Sequence, residues 1–364
     1  MKRVVVLYGG KSGEHEVSLV SAASIVRHLD RSAFEPVLVG VAKDGTWHLQ
    51  APEVAGAAQE SGPLPLRRGP RVFAAPGAGL AVERSGRLES LPCDVVFPVL
   101  HGTFGEDGTI QGLLEVAGLP YVGAQVLGSA LGMDKVKSKE LWIKAGLPVL
   151  PYASVGAAEL GEGAEALAFA SRLGERLGWP VFVKPVCGGS SVGAAKAADP
   201  TGLVKALREA LAWDERALVE PYVHARELEC SVLGNEGPVA FEPCEIIPSH
   251  EFYDYEAKYV DPDGARFEVP ARVGAAVSER IRSVALAAYA ACGITGMARV
   301  DFFLDKESGE VLLNEVNTIP GFTSISMYPR MCEVGGLPYP ELITRLVELA
   351  LERHDARARL RFSR

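Results

Sequence analysis

MARVDFFLDKESGEVLLNEVNTIPG, Met297 to Gly321, is the stretch on which the reading of this chain turns. Two apolar runs, GMARVDFFL and EVLLNEV, are joined by the polar link DKESG, short enough to make them antiparallel neighbours. Alternate residues of a strand share a face. Arg299 and Asp301 therefore point the same way on the first run, and Glu315 and Asn317 do so on the second, with Leu313 expected lower on that face. The spacing gathers the four polar side chains on one side of the sheet, just before a Pro-Gly turn. Oxygen donors without nitrogen or sulfur neighbours suit a hard cation, Mg2+ or Mn2+, whose shell is commonly completed by phosphate oxygens. A guanidinium beside them suits an anion that develops charge during a reaction. For any one of these residues an ion pair at a sheet end is the simpler reading; the matched spacing on paired strands favours ligands for the four together.

Upstream, the strand WPVFV runs into KPVCGGSSVG, residues 184 to 193. Its glycines and paired serines allow backbone N–H groups to face an anion, and Lys184 adds a point charge. A glycine turn alone would be weak evidence; the lysine and the serines strengthen it. GGKS at residues 9 to 12 is not a P-loop, because the required earlier glycine is replaced by Val5, and no GxGxxG fingerprint is present. In GGKSGEHEVSL, Glu14 stands in a loop at a helix start, where it could hold a substrate amine or serve as a solvated capping acid. Lys135 lies near a helix start, where a lysine is more often solvent-facing than a phosphate ligand. Glu220 and Glu227 flank PYVHAR, either a hinge passing a nucleobase or surface acids. EFYDYEAKY, residues 251 to 259, is too polar for a core strand and too aromatic for a linker, and fits a lid loop over a charged ligand. His101, in HGTFGEDG, is balanced between a site residue and a structural loop histidine.

The chain has 364 residues, 48% of them hydrophobic, enough to bury a large core divided into two or three domains. A net charge of −9 and a pI near 5.4 argue against a general nucleic-acid binder. No apolar run reaches the length of a membrane span, and the N-terminal MKRVVVLYGG is a first strand rather than a signal peptide. Cysteines 93, 187, 230, 244, 292 and 332 are scattered without a CxxC pair, as expected of free thiols in a reducing cytoplasm.

RVVVLYGG and CDVVFPVLHG have the continuous apolar character of buried parallel strands, and the helix between carries Leu19, Ala22, Ala23, Val26 and Leu29 at helical spacing. EPVLVGVA is a further strand. Residues 47 to 90, rich in Gly, Pro and Ala, read as an insertion or a pair of weak strands. LGMDKVKSKELWIKAG is expected as a helix with Asp134 as a cap. Helix AEALAFASRLGERL, strand WPVFVKP, helix GLVKALREALAW and strand ALVEPYV follow, then RELECSVLG, GPVAFEPCEII and helix SERIRSVALAAYAACG. A last helix carries Leu342, Leu346 and Leu349 on one stripe.

The stretches GGKSGEHEVSL, HGTFGEDGTIQG, MDKVKSK, VKPVCGGSSVG, FYDYEAKY, MARVDFF and NEVNTIPGFTSISMYP resemble, in order and from the first strand to the last helix, the D-alanine–D-alanine ligases of the ATP-grasp superfamily. Residues 47 to 90 carry no motif of that family. The resemblance implies an α/β fold of three-domain ATP-grasp architecture: an N-terminal parallel-sheet α/β domain (1–123), a central subdomain with the phosphate loop (124–220) and a C-terminal subdomain with the metal site and lid (221–364). It implies ATP-dependent joining of two D-alanines through a D-alanyl phosphate, for peptidoglycan precursors, in a cytoplasmic homodimer.

By the same resemblance, Asp301, Glu315 and Asn317 correspond to ligands of a pair of Mg2+ or Mn2+ ions, with Glu315 bridging. Arg299 and the Gly321 N–H resemble the oxyanion-stabilising pair. Lys135, Lys184 and the lid residue Lys258 match phosphate contacts, and Glu220, the Val223 backbone and Glu227 match adenine and ribose contacts. Glu14 resembles the holder of the first D-alanine's ammonium, with Ser190 and Tyr259 as its hydrogen-bonded partners and His101 on the substrate side. Ser326 and Met327 stand where the second D-alanine's carboxylate is held, although leucine is frequent at the latter. CGGSSVG departs from the charged REGSSVG of other members, so Cys187 and Gly188 take no role from it. Tyr259 favours D-alanine over D-lactate as second substrate, since ligases that make the D-lactate product lack it. Ligases using D-lactate or D-serine, carboxylases of the biotin type, a kinase stopping at the acyl phosphate and a non-catalytic nucleotide binder are the competing readings. The intact YDYEAKY, the absence of a biotin-carrier segment and the retained metal and arginine residues weigh against them.

Overall fold

The structure, a computed structural model, describes residues 1–58, 62–248, 265–323 and 325–361. Strands β1 (Lys2–Gly9), β2 (Phe34–Val41), β3 (Trp47–Leu49), β4 (Arg71–Ala75), β5 (Gly79–Arg84), β6 (Arg87–Leu91) and β7 (Val95–Val99) form one sheet, ordered β6-β5-β4-β3-β2-β1-β7. Helices α1 (His15–His28), α2 (Val54–Ala57) and α3 (Thr109–Ala117) accompany it. β1 pairs in parallel with β2 and β7, as its apolar run predicts. Val4, Val6 and Tyr8 enter one core while Val5 and Leu7 enter the other, so the strand is buried on both faces.

The region 47–90 is neither an insertion nor a pair of weak strands. β3 to β6 continue the sheet as an antiparallel meander, so the sheet is mixed. Its last hairpin turns through Ser85 and Gly86, both with positive φ (50° and 73°), which matches the twist that tight hairpins require.

LGMDKVKSKELWIKAG forms two helices, α4 (Val126–Met133) and α5 (Lys135–Lys144). Asp134 breaks them with an extended ψ of 97° and caps the second, its side chain accepting from the Lys137 N–H. A second sheet, ordered β10-β9-β11-β8, comprises β8 (Ala153–Gly156), β9 (Val181–Pro185), β10 (Ala195–Ala197) and β11 (Arg216–Pro221). α6 (Ala157–Leu160), α7 (Gly163–Leu177) and α8 (Pro200–Trp213) cover it.

The third sheet runs β15-β14-β12-β16-β17, with β13 (Val239–Ala240) beside β12. Its other strands are β12 (Ala225–Gly234), β14 (Cys244–Pro248), β15 (Ala265–Glu268), β16 (Gly296–Asp305) and β17 (Val311–Asn317). α9 (Ala275–Ala291) and Trp142 of α5 pack on one face against Val300, Phe302, Leu313 and Val316. Each such buried side chain stabilises the fold by roughly 1.5–3 kcal/mol. α10 (Met327–Val334) and α11 (Tyr339–Ala358) return to the start of the chain, where Leu342, Leu346 and Leu349 share a core with α1 and β1.

β16 and β17 are antiparallel, with Arg299 opposite Asn317 and Asp301 opposite Glu315. The register then shifts, and Phe302 faces Leu313. Asn314 is thus the extra residue of a bulge. Leu313 therefore joins the core face rather than the polar face expected for it, and Asn314 takes its place beside Glu315.

Candidate functional site

A cleft of about 700 Å3 opens between the second and third sheets. Lys135, Lys184, Gly189, Ser190, Glu220, Val223, Glu227, Arg299, Asp301 and Glu315 all line it. β9 ends at Lys184 and Pro185, and the glycine loop follows. Ser190 and Ser191 hold that loop in successive left-handed conformations (φ 50° and 57°), a strained arrangement for non-glycine residues. From this loop the Ser190 hydroxyl donates to Glu14 Oε1.

Glu14 does not cap α1 with its side chain, so the capping reading fails. A Cβ added to Gly102 would lie 2.6 Å from Glu14 Oε2, and one added to Gly189 would lie 2.8 Å away. Two glycine backbones from distant loops therefore pack against this carboxylate.

Lys135 is not solvent-facing. It is 8% exposed, and its Nζ donates to Gly188 O at 2.6 Å and lies 3.5 Å from Glu315 Oε2. Lys184 Nζ donates to Asn314 Oδ1 at 2.9 Å and sits 3.1 Å from Glu220 Oε2. Behind Glu220 stands Lys139, with Nζ 2.6 Å from Oε1, a contact ion pair whose angle falls short of a directed hydrogen bond. Burial opposes the Glu220 charge, but Lys184 and Lys139 outweigh it and hold the carboxyl below the usual carboxylate range. Burial pulls the Lys139 ammonium down, against the attraction of Glu220.

On β16, Arg299 grips Asp301 with two parallel hydrogen bonds, 2.8 and 2.7 Å, and its Nε lies 3.1 Å from Glu229 Oε1. Burial works against this guanidinium, yet Asp301 and Glu229 hold its pKa well above the usual value. The ion-pair reading of Arg299 and Asp301 is thus realised in geometry, and the four residues share the face that their spacing predicts. Asn317 lies opposite Arg299 and turns its Oδ1 to the Ile319 N–H at 3.0 Å.

The Ile319–Phe322 turn is clamped. His101 is buried with both ring nitrogens engaged: Nδ1 donates to Ile319 O (3.0 Å), and Nε2 accepts from Ser21 Oγ (3.1 Å), which in turn accepts from the Phe322 N–H (3.3 Å). Burial holds this imidazole below its ordinary pKa, so it is neutral at pH 7. Its ring engages protein groups, so its place is behind the turn. Glu106 accepts from the Gly102 N–H at 2.6 Å and the Ile319 N–H at 3.3 Å; burial first, then the charge of Glu14, push its pKa up to about 8. Ser326 Oγ accepts from the Thr323 N–H at 2.9 Å and sits where a Cβ on Gly321 would be 2.8 Å away. Met327 buries its side chain against Cys244 and Met331, leaving its backbone at the start of α10. Lys258 and Tyr259 lie outside the described residues.

Lys139, Glu229, Asn314 and Glu106 are absent from the sequence reading. Two carried a signal: Lys139 is one helical turn after Lys135, and Glu229 is one strand repeat after Glu227. Among the described residues no group of three or more His, Cys, Asp or Glu side chains forms a metal cluster; the donor set at issue includes an amide. All six cysteines are free, and no described helix is long and apolar enough to cross a membrane.

Family models for the D-Ala–D-Ala ligase N-terminus and C-terminus match residues 3–124 and 141–348. A D-alanine–D-alanine ligase of Treponema denticola is 46% identical over 365 residues, 99% of each chain. The solved D-alanine–D-alanine ligase of Coxiella burnetii superposes with a TM-score of 0.82 at 37% identity, covering 98% of this chain and 96% of that one. The VanG D-Ala:D-Ser ligase of Enterococcus faecalis superposes equally, TM-score 0.82, at 34% identity, covering 96% and 99%.

Proposed function

The chain belongs to the D-alanine–D-alanine ligase family, and on that premise we propose that its cleft joins two D-alanines at the expense of ATP, for peptidoglycan synthesis. The observation that carries this reading is the bond between Ser190 of the glycine loop and Glu14 of the first sheet's loop. It sets a carboxylate able to hold a substrate ammonium directly beside a loop able to hold phosphate.

In this reading the first D-alanine docks its ammonium on Glu14, and its carboxylate attacks the γ-phosphorus of ATP. ADP leaves and an acyl phosphate forms, which converts a poor acyl donor into a good one. The free amine of the second D-alanine attacks the carbonyl carbon, the tetrahedral oxyanion collapses, and phosphate departs with the proton lost by the nitrogen, as hydrogen phosphate. Arg299 and the Gly321 N–H stabilise that oxyanion. Lys135, Lys184 and Lys258 neutralise the phosphates. Glu220, the Val223 backbone and Glu227 take the base and ribose, and Ser326 with the Met327 backbone holds the second carboxylate. Tyr259 closes the lid on Ser190 and Glu14, keeping water from the acyl phosphate. His101 supports the substrate side by fixing the turn at Ile319.

Asp301, Glu315 and Asn317 offer hard oxygen donors with no competing nitrogen or sulfur, a set that fits Mg2+ or Mn2+. When bound, such ions neutralise phosphate charge. We further propose three units, residues 1–123, 124–220 and 221–364, and the homodimer usual in the family, which light scattering tests.

The test is ADP release with D-alanine, L-alanine, D-serine and D-lactate, with products identified by mass. D-alanyl-D-alanine from D-alanine alone is expected. A product preferentially carrying D-serine or D-lactate, or phosphate turnover without dipeptide, overturns the assignment.

A further inference from the structure

Lys139 is a buried cation that the proposed chemistry does not use. It is fully buried on α5, does not line the cleft, and sets its ammonium 2.6 Å from Glu220 Oε1. Glu220 is 2% exposed and offers its other oxygen to Lys184, which does line the cleft. The carboxylate thus has a dead side, occupied by Lys139, and a live side, reached from the cleft. Lys184 also leans on Asn314, so it has a second acceptor and can be drawn towards phosphate.

Stability does not account for Lys139. Removing one partner of a buried ion pair is costly only when the other charge is left unpaired, and here two ammoniums share one carboxylate, so Glu220 keeps Lys184 when Lys139 is lost. The aliphatic stem sits one helical turn from Lys135, where a methionine would fill the same space.

We infer that Lys139 is a positioning residue for nucleobase selectivity: it fixes the Glu220 carboxylate from behind, so that Glu220 presents a charged acceptor to an exocyclic purine amine and rejects a purine with a carbonyl there. The inference rests on the reading of Glu220 as the adenine contact. Lys139 touches no nucleotide; it keeps Glu220 ionised and aimed when Lys184 is recruited elsewhere. A carboxylate with one partner could swing or take up a proton, and a protonated carboxyl would tolerate a purine carbonyl.

The experiment measures ATP and GTP dissociation constants by calorimetry on the full chain with Mg2+, for wild type, K139M, E220Q and K139M/E220Q, together with melting temperatures and steady-state kinetics. K139M is expected to weaken ATP about tenfold, the scale of a charge-assisted hydrogen bond, and to erode the ATP-over-GTP preference. The melting temperature should stay level or rise, and kcat at saturating ATP should remain near wild type. In the E220Q background K139M should add nothing, since it acts through that carboxylate. Unchanged ATP affinity in K139M, effects that multiply in the double variant, or a lowered melting temperature with ATP binding intact would each overturn the inference. E220Q binding ATP and GTP as wild type does would instead remove the adenine reading of Glu220, and this inference with it. Should K139M fail to fold, K139Q, which keeps a donor and loses the charge, carries the same comparison.

Discussion

Ser190 hydrogen-bonds Glu14 although 176 residues separate them. The bond closes a junction between the first sheet and the glycine loop, and Gly189 gives it room. A Cβ there would meet Glu14 Oε2 at 2.8 Å, against the far end of a flexible side chain rather than backbone. G189A should therefore leave the fold intact and push the carboxylate aside. We expect kcat/KM for D-alanine to fall by roughly 10- to 100-fold, the scale of small misplacements at a reacting centre, a larger effect than on the ATP dissociation constant. Steady-state kinetics with an unaltered D-alanine KM would contradict the placement of the ammonium on Glu14.

Asn314 anchors Lys184 Nζ at 2.9 Å. N314A removes one acceptor of a buried ammonium, and the KM for ATP should rise by about tenfold. N314D keeps an acceptor at the same reach and should restore most of the loss. If both variants behave alike in ATP titrations, the contact does not position Lys184.

Asn314 also marks where the sequence ceased to be legible. Alternation assigned Arg299, Asp301, Glu315 and Asn317 to one face, and the paired register agrees. It also assigned Leu313 there, and the bulge reversed the facing of Leu313 together with the rest of the strand before it, back to Val311. A bulge is a backbone event with no side-chain period to announce it. The parallel strands β1 and β7 were legible because both faces are buried and the apolar run is unbroken. The meander was not, because β6 is exposed over most of its length and reads as polar loop. Gly77 and Gly79 at one turn and Ser85–Gly86 at the next were the available signal. Long-range partners such as Glu14 with Ser190 have no local signature at all; they came from the family resemblance.

Glu315 lies 3.5 Å from Lys135 and opposite Asp301. E315A should abolish ADP release by a folded protein. It should also weaken Mn2+ binding to the ATP-loaded enzyme, read by electron paramagnetic resonance, so that metal loss is separated from failure to turn over. Normal ADP release by the variant would exclude Glu315 as a ligand.

Glu106 gives a pH prediction. Burial, with the charge of Glu14, lifts its pKa from 4.5 to about 8 in the fold. Between those pH values the native protein retains a proton that the unfolded chain has released, so stability falls as pH rises through this window and levels off above it. Glutamine has no proton to lose. The difference in melting temperature between E106Q and wild type should shift in favour of E106Q as pH goes from 5 to about 8. E106Q also loses an acceptor for Gly102 or Ile319, a constant offset, so the slope is the quantity to measure. A difference independent of pH would show that Glu106 ionises normally.

Tyr339 holds the turn from its far side. Its hydroxyl donates to Phe322 O at 2.6 Å and lies 3.1 Å from Ser24 Oγ, while its ring stacks on His28 at 4.2 Å. Phe322 follows Gly321, whose N–H is the proposed oxyanion donor. Y339F preserves the stack and removes the hydrogen bond, leaving a carbonyl short of a partner, for a stability loss of about 1–2 kcal/mol in urea unfolding. If the hydroxyl also aims the Gly321 N–H, kcat should fall several-fold while the KM for ATP stays constant. R299K is the comparison: a lysine cannot reproduce the two parallel bonds to Asp301, and its loss of kcat should be far larger. Y339F that loses stability but keeps full kcat would show that the Glu106, His101 and Ser21 contacts hold the turn without Tyr339.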